Sequence, residues 1–257
     1  MLFQNTKEMD EKVDYTNLEE DAHVLHLWEP LEFKIEENYK YVHNGVLFFF
    51  FSNLLYMIAY PILMLINKIC FNFKVEGIDN YKKVKTGKIT VSNHVHFMDC
   101  TMVGMTTLPQ KTFFTSLASN FKIPIVKTLI TLFNTIPIPT EISNKKDFIE
   151  AVNSLLKNGK SIHFYPEGSL WPYYRKLRHF KNGAFEFAVR NSVPIIPCVF
   201  KFEEPTGIRK YIKKKPCIKM LYLDPIYPDS TISQKEAILK LKEKCYHHMK
   251  EVIEDKL

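Results

Sequence analysis

Residues 89–107 read ITVSNHVHFMDCTMVGMTT, and this stretch decides which fold the chain is expected to adopt. Its first part, Ile89–Ser92, has the short length and β-branched composition of a strand. Its last part, from Asp99 to Thr107, is predicted to be a helix, and a polar turn with two histidines joins the two. In α/β proteins, sites lie at the carboxyl ends of strands, so this turn is where chemistry is expected first.

The same alternation of strand and helix patterns continues from residue 74 to the end of the chain. Further strands are predicted near residues 112–115, 135–138, 161–165, 195–200 and 218–223. Further helices are predicted near residues 125–133, 145–157, 184–190 and 233–256, and the last opens with the capping-box pattern Ser233-x-x-Glu236. These patterns predict an α/β fold with a mixed, largely parallel sheet flanked by helices.

A hydrophobic segment precedes the predicted sheet. Residues 46–66 read VLFFFFSNLLYMIAYPILMLI and carry no charge, and a helix of this length covers about 30 Å of hydrocarbon. Pro61 removes an amide donor and is expected to kink or break that helix. The segment is therefore predicted to associate with a membrane, as a spanning helix or as a hairpin in one leaflet. A buried core helix is the alternative, and the position and sequence do not fit a signal peptide.

Charge divides the chain into two parts. Residues 1–40 carry a net charge of −7, so the remainder carries +14. We expect residues 1–73 to form an acidic arm with the hydrophobic helices, and residues 74–257 to form the main domain. Basic residues are dense in one run: Lys201, Arg209, Lys210, Lys213, Lys214, Lys215 and Lys219. Such a run attracts nucleic acid, an anionic bilayer or a phosphorylated ligand such as coenzyme A, or is simply solvated. No nucleic-acid-binding motif accompanies the charge, so nucleic acid is not expected as a partner.

The five cysteines are too far apart for zinc or redox motifs of the CxxC type. An odd number of cysteines without a signal peptide fits a reducing compartment. We therefore expect the main domain to lie on the cytoplasmic side of the membrane.

The turn after the first strand carries the first set of chemical groups, His94 and Asp99. A carboxylate five residues after a histidine can bond one ring nitrogen and fix its tautomer, which leaves the other nitrogen as a general base. Asp99 as a simple helix N-cap is one alternative. Another is a metal-dependent hydrolase that uses His94, His96 and Asp99 as ligands, with His163 or His179 completing the set. The metal pattern fits poorly, because the aspartate falls one position late.

Three later blocks follow along the chain. In Pro166-Glu167-Gly168-Ser169, the glycine lets the backbone approach a ligand, and the serine with nearby amides can donate hydrogen bonds to an anion. Glu167 would repel a phosphate, so it is expected to orient a donor or hold a hydroxyl. The chain then carries Lys181-x-Gly183-Ala184 and Val193-Pro-Ile-Ile-Pro197.

Together, in this order and spacing, these blocks resemble the lysophospholipid acyltransferase superfamily, whose best-known members are the 1-acylglycerol-3-phosphate O-acyltransferases. The resemblance covers roughly residues 75–205. It implies an O-acyltransferase that moves a fatty acyl group from acyl-CoA or acyl carrier protein to a hydroxyl of a membrane lysophospholipid. It also implies that His94 is the general base, that Asp99 orients it, and that no metal, cofactor or covalent intermediate is needed.

The sequence departs from this family where the acceptor's phosphate is expected. Family members often place an arginine after the Glu-Gly-Ser or Glu-Gly-Thr block, whereas this chain has Leu170. The resemblance therefore implies substrate contacts from Glu167, Gly168 and Ser169, with the phosphate bound by Arg175 or Arg178, beside Lys176. Glycerol 3-phosphate and a lysolipid without phosphate stay open as acceptors. A non-catalytic module that binds anionic membranes is the remaining alternative.

Overall fold

The computed structural model describes residues 15, 18–19, 35–36, 39–141, 144–212 and 215–254. The strands are β1 Lys74–Glu76, β2 Lys88–Ser92, β3 Thr112–Leu117, β4 Thr135–Ile138, β5 Ser161–Phe164, β6 Ile195–Glu203 and β7 Cys217–Tyr222. The helices are α1 Val46–Phe71, α2 Ile78–Lys82, α3 Asp99–Thr106, α4 Pro124–Leu132, α5 Lys145–Lys157, α6 Gly183–Asn191, α7 Arg209–Ile212 and α8 Gln234–Glu254. A short 3-10 helix, Ala118–Phe121, follows β3.

The strands form a single sheet in the order β1-β7-β6-β2-β5-β3-β4. Every neighbouring pair is parallel except β6 and β7, which are antiparallel. The predicted mixed, largely parallel sheet is therefore confirmed. Strand β2 lies near its centre, between β5 and β6, and all five of its residues are buried. Burial on both sides is what parallel strands show when helices cover both faces of a sheet.

Helices cover the two faces of the sheet differently. Helices α5, α6 and α8 pack on one face, over a core that includes Val91, Ile162 and Val199. Helix α3 packs on the other face, where Met102 and Val103 contact the strands, and α1 lies outside α3 and α4. Strand β2 leads into α3 through the polar turn, which therefore lies at the carboxyl edge of the sheet.

The hydrophobic segment forms one continuous helix, α1, rather than two. The expectation that Pro61 breaks it is wrong, because the helix continues through Pro61 to Phe71. Proline has a fixed φ near the helical value, so it costs the single hydrogen bond to Met57 and leaves the other backbone bonds intact. Within the described residues, α1 is the one helix long and apolar enough to cross a membrane. Most of its apolar side chains are exposed, which excludes the buried core helix.

Most of the acidic arm lies outside the described residues, but two of its parts are packed into the main core. Ile35 and Tyr41 belong to the hydrophobic cluster beneath α5. The Asn144 side chain donates a hydrogen bond to the Ile35 carbonyl over 2.7 Å, and the Tyr41 ring contacts Phe148 edge-on. The predicted division at residues 73 and 74 stays a prediction, and these contacts tie the two sides of it together.

Candidate active site

Asp99 organises the turn between β2 and α3. It is the first residue of α3 and is fully buried. Its Oδ2 accepts hydrogen bonds from the Val95 and His96 amides, at 2.9 and 3.0 Å. The same oxygen lies 3.0 Å from Nδ1 of His94. Asp99 therefore folds the turn and binds the imidazole at once, which leaves Nε2 of His94 as the ring nitrogen that faces away from the carboxylate.

Asn93 fixes where this turn begins. Its side-chain amide donates to the Phe200 carbonyl and its oxygen accepts from the Phe200 amide, at 3.0 and 2.8 Å. The side chain thereby continues the pairing between β2 and β6 after the backbone has turned away. The sequence analysis did not assign this role to Asn93, because its partner lies 107 residues further along the chain.

The imidazole of His94 rests on an aromatic ring. Tyr165 stacks beneath it with 3.8 Å between ring centroids and an angle of 17° between planes. The His94 side chain keeps about a quarter of its surface, 23%, exposed. One side of the ring is thus held by Tyr165 and one edge by Asp99, while the Nε2 side is open to a ligand.

A second histidine, His163, lies deeper in the same stack. Its ring contacts Tyr165 edge-on at 4.7 Å, and its two nitrogens lie 2.8 Å from the Thr90 hydroxyl and 3.2 Å from the Ser92 hydroxyl. Desolvation, followed by the charge of His94, lowers the pKa of His163 to about 3. His163 is therefore neutral beneath the site. The sequence analysis named it only as a metal ligand and did not single out Tyr165.

Glu167 braces the turn from the neighbouring strand. Its Oε2 accepts a hydrogen bond from the His94 amide at 3.2 Å and one from Nη2 of Arg178 at 2.9 Å. Its Oε1 accepts from the Arg178 amide at 3.0 Å. Burial raises the pKa of Glu167, and the Arg178 charge and these donors oppose that rise. Glu167 orients donors, as expected, and its contact with substrate stays a prediction.

The two arginines expected near a phosphate have different surroundings. Arg178 is buried, with its guanidinium on Glu167, on the hydroxyl and carbonyl of Ser169, and over the Trp171 ring. Arg175 is exposed and pairs with Glu204 at 2.7 Å. Arg178 therefore binds groups of the protein in this structure, and Ser169 is turned inward with it. Neither arginine is placed as an open phosphate ligand, so both phosphate contacts stay predictions.

Gly168 allows the turn after Glu167 to form. Its φ is +81°, and an added Cβ would lie 2.9 Å from the Lys181 ammonium. A side chain there would be strained and would displace Lys181. The Gly168 amide donates to the Tyr165 carbonyl at 3.0 Å, so this amide is not open to an anion. Its predicted substrate contact is untested.

The His96 ring makes different contacts from the His94 ring. Its Nδ1 accepts a hydrogen bond from the Met98 amide, its ring packs against Phe71 at 4.6 Å, and the side chain is buried. Desolvation lowers its pKa to about 4. Among the described residues, no group of three or more His, Cys, Asp or Glu could hold a metal ion. The geometry therefore gives the metal alternative no support.

The segment after the Glu-Gly-Ser turn lies along the turn between β2 and α3. The Trp171 amide donates to the His94 carbonyl at 3.0 Å, and the Tyr173 amide donates to the Val95 carbonyl at 2.8 Å. Two motifs more than seventy residues apart in sequence are thus joined by backbone hydrogen bonds. They build one site with a carboxylate-oriented imidazole at its open side, an arrangement suited to taking a proton from a bound hydroxyl.

Known proteins match the chain across this site. A family model described as Acyltransferase matches residues 72–201, about half of the chain. Chloroplastic 1-acyl-sn-glycerol-3-phosphate acyltransferases of Brassica napus and Arabidopsis thaliana are each 30% identical, over 124 and 128 residues. These stretches cover 48% and 49% of this chain, and 35% of each relative. The chain thus spans about a third of the length of these curated relatives.

Two further proteins match a larger share of the chain. An uncharacterized acyltransferase of Schizosaccharomyces pombe is 30% identical over 169 residues, 61% of this chain and 57% of that protein. The crystal structure of a 1-acyl-sn-glycerophosphate acyltransferase, PlsC, from Thermotoga maritima has the same fold. It superposes with a TM-score of 0.53 at 20% identity, over 82% of this chain and 95% of that one. Because the family model spans half of the chain and includes both joined motifs, the chain belongs to the acyltransferase family of enzymes.

Proposed function

We propose that this chain transfers a fatty acyl group from a thioester to the free hydroxyl of 1-acylglycerol 3-phosphate, with His94 as the general base. The observation that carries the proposal is the His94–Asp99 pair. One ring nitrogen lies 3.0 Å from a buried carboxylate, and the opposite side of the ring is accessible at the edge of the sheet. Acyl-CoA and acyl carrier protein are the two donors that this chemistry admits.

In the proposed reaction, Nε2 of His94 takes the proton from the acceptor hydroxyl as its oxygen attacks the thioester carbonyl. The tetrahedral intermediate collapses, the C–S bond breaks, and the imidazolium returns the proton to the leaving thiolate. Asp99 holds the tautomer that accepts the proton and stabilises the imidazolium. The face of Tyr165 adds attraction for the same cation. General base catalysis of this kind contributes about 10²- to 10⁴-fold in rate.

The acceptor is proposed from the relatives whose names specify one. The matched plant and bacterial proteins are named for a 1-acylglycerol phosphate acceptor. Of the two arginines predicted to contact phosphate, Arg175 is the one that solvent reaches. Its ion pair with Glu204 is exposed, and exposed ion pairs contribute little to stability. A phosphate can therefore compete for it. Glycerol 3-phosphate and a lysolipid without phosphate are the alternative acceptors.

Helix α1 is proposed to place the site at the bilayer. Its polar side chains point to the domain: Ser52 donates to the Leu132 carbonyl at 2.8 Å, and Lys111 donates to Ser52 and lies over the Tyr56 ring. Near the other end, Asn67 contacts the sulfur of Met105. These contacts hold about 22 Å of helix against the domain. A helix held along its length lies in the membrane interface with its exposed side in the acyl chains, rather than spanning.

The proposed orientation puts the domain on the cytoplasmic side, where both thioester donors occur. This fits the free state of all five cysteines, of which Cys198, Cys217 and Cys245 are buried. A protease-protection experiment on sealed membrane vesicles tests this orientation. A domain on the cytoplasmic side is digested in vesicles whose cytoplasmic face is exposed to the protease.

The deciding experiment supplies a lipid extract and a labelled acyl thioester to the purified chain and identifies the product by mass. We expect phosphatidic acid from 1-acylglycerol 3-phosphate. His94→Ala should lose nearly all turnover while folding normally, and His96→Ala should keep a substantial fraction, because only the His94 ring contacts Asp99. Equal losses, or loss of activity with chelators, would favour the metal-dependent alternative. Lipid binding without any acyl transfer would favour the non-catalytic module.

A further inference from the structure

The connection between β6 and β7, residues 204–216, exposes large apolar side chains beside cations. Ile208 is 78% exposed and Tyr211 is 88% exposed. Arg209 and Lys210 lie between them in sequence, and both are exposed. Apolar side chains that project among cations are typical of segments that insert into the boundary between lipid head groups and acyl chains.

The basic run seen in the sequence divides into two kinds of residue. Lys201 donates to the Val252 carbonyl, and Lys219 pairs with Glu76 and Glu203. These two lysines at the ends of the run bind the protein's own carbonyl and carboxylate groups. Arg209 and Lys210 are exposed on the connection itself, Lys215 is exposed and also lies over the Tyr173 ring, and residues 213 and 214 lie outside the described part of the chain. The exposed charge is therefore concentrated around Ile208 and Tyr211.

Side-chain contacts place this connection beside the site and beside the end of α1, where Lys74 pairs with Glu203 at 3.1 Å. At one end of the connection, Phe202 packs on Tyr173 at 5.4 Å, and at the other, the Lys215 ammonium lies 5.7 Å from the same ring. Tyr173 contacts His96 at 5.5 Å, and His96 contacts Phe71 at the end of α1. The end of the apolar helix and the basic connection thus lie together beside the turn between β2 and α3.

We propose that the β6–β7 connection is a second membrane contact, selective for anionic lipid. Ile208 and Tyr211 enter the interface, and Arg209, Lys210 and Lys215 bind lipid phosphates around them. The inference rests on the membrane association proposed for α1 and adds a second attachment beside the end of that helix. With both attachments made, the turn that carries His94 faces the lipid surface.

Vesicle binding by the full chain tests this contact. Phosphatidylcholine vesicles, with and without phosphatidylglycerol, are sedimented with the protein over a range of salt concentrations. The double variant Arg209→Gln/Lys210→Gln should bind the anionic vesicles roughly 25-fold less tightly at low salt, because each cation near such a surface contributes about fivefold. Its binding to neutral vesicles should be unchanged. Ile208→Ser/Tyr211→Ser should bind both vesicle types less tightly.

A matched control separates this contact from a general effect of charge. Lys235 and Lys244 are exposed on α8, which covers the opposite face of the sheet. Lys235→Gln/Lys244→Gln makes the same change in net charge and should leave binding within about twofold, since charges beyond a Debye length of the surface are screened. Equal losses in the two double variants would overturn the proposal.

Two other outcomes are decisive. If Arg209→Gln/Lys210→Gln binds anionic vesicles like the unaltered chain but raises the KM for acyl-CoA in detergent, the cations serve coenzyme A and the proposal fails. If the unaltered chain discriminates anionic from neutral vesicles through these residues and transfers no acyl group, the contact stands and the proposed reaction fails. The binding measurement is therefore independent of the activity on which the proposed function depends.

Discussion

Two buried carboxylates in neighbouring turns make similar hydrogen bonds but have different roles. Asp99 accepts hydrogen bonds from two backbone amides and lies 3.0 Å from Nδ1 of His94. Glu167 accepts two backbone amides and the guanidinium of Arg178. The nitrogen-bearing partner makes the difference, because the imidazole keeps an open side and the guanidinium is enclosed by Ser169 and Trp171.

In the proposed reaction, one arrangement serves reactivity in one turn and rigidity in the next. A carboxylate that holds a partner with a second, open nitrogen prepares that nitrogen for proton transfer. A carboxylate that holds an enclosed guanidinium fixes the backbone on both sides of it. The His94 amide binds Glu167, so the rigid turn also positions the reactive one.

The largest expected effect is on catalysis, from Asp99→Asn. The asparagine side chain can still accept hydrogen bonds from the backbone amides, but it lacks the charge that fixes the His94 tautomer. The kcat should therefore fall about 10³- to 10⁴-fold. Glu167→Gln is the matched variant, and it should reduce kcat much less because it does not contact the imidazole. Steady-state turnover with labelled thioester measures both, and circular dichroism checks folding. Similar reductions in kcat would contradict the division of roles.

The next effect is on stability, from Arg178→Met. It leaves the Glu167 charge buried without its cation, which should lower the free energy of unfolding by about 3–5 kcal/mol. The double variant Glu167→Gln/Arg178→Met should recover most of that loss, because it removes the unpaired charge. Denaturant unfolding in detergent measures both. An Arg178→Met chain that is fully stable but has a raised acceptor KM would instead identify Arg178 as a phosphate ligand.

A smaller effect is expected from pH, through the neutral histidine under the site. His163 has a pKa of about 3 in the folded chain and an ordinary value near 6.5 when unfolded. The unfolded chain therefore binds a proton that the folded chain does not, and stability falls as pH decreases from about 6.5 toward 3. At pH 5 the loss is about 2 kcal/mol. His163→Asn should flatten the dependence of Tm on pH over this range, and an unchanged slope would contradict it.

The smallest effect is expected at Tyr165, whose hydroxyl is buried without a hydrogen-bond partner. Tyr165→Phe removes that unpaired group and keeps the stack, so it should leave kcat within about threefold and raise stability by about 1 kcal/mol. Tyr165→Leu removes the aromatic face and should lower kcat about tenfold. Tm measures the stability of the two variants, and the pH profile of kcat measures their catalysis. Equal kcat in the two variants would show that the ring does not act on His94.

The sequence predicted the elements that have a pattern long enough to detect. All six predicted strands and all five predicted main-domain helices are present, because alternation and capping are local properties. Strand β1 and helices α2 and α7 were missed, since three to five residues show no periodicity. Strand β1 and helix α2 are held by β7, which is distant from both in sequence.

The site shows the same limit in its side chains. The spacing of His94 and Asp99 predicted their contact, because five residues across one turn leave few alternatives. The surroundings of Arg178 were not predictable, since a sequence does not tell which cation is buried against which carboxylate. Asn93 and Tyr165 were missed as site residues for a related reason. Phe200, the partner of Asn93, lies on β6, and His94, the partner of Tyr165, lies in the turn after β2. Only the register of the sheet brings each pair together.

If α1 lies in the membrane interface as proposed, its contacts with the domain have a consequence for membranes of different thickness. A spanning helix meets bilayers of different thickness by tilting or by deforming the lipid, at a cost for each ångström of mismatch. A helix fixed to its domain near Ser52 and near Asn67 has no such length to match. The height of His94 above the lipid is then set by the side chains between the helix and the sheet. Membranes that differ in thickness should present their lipids to the same catalytic group at the same depth.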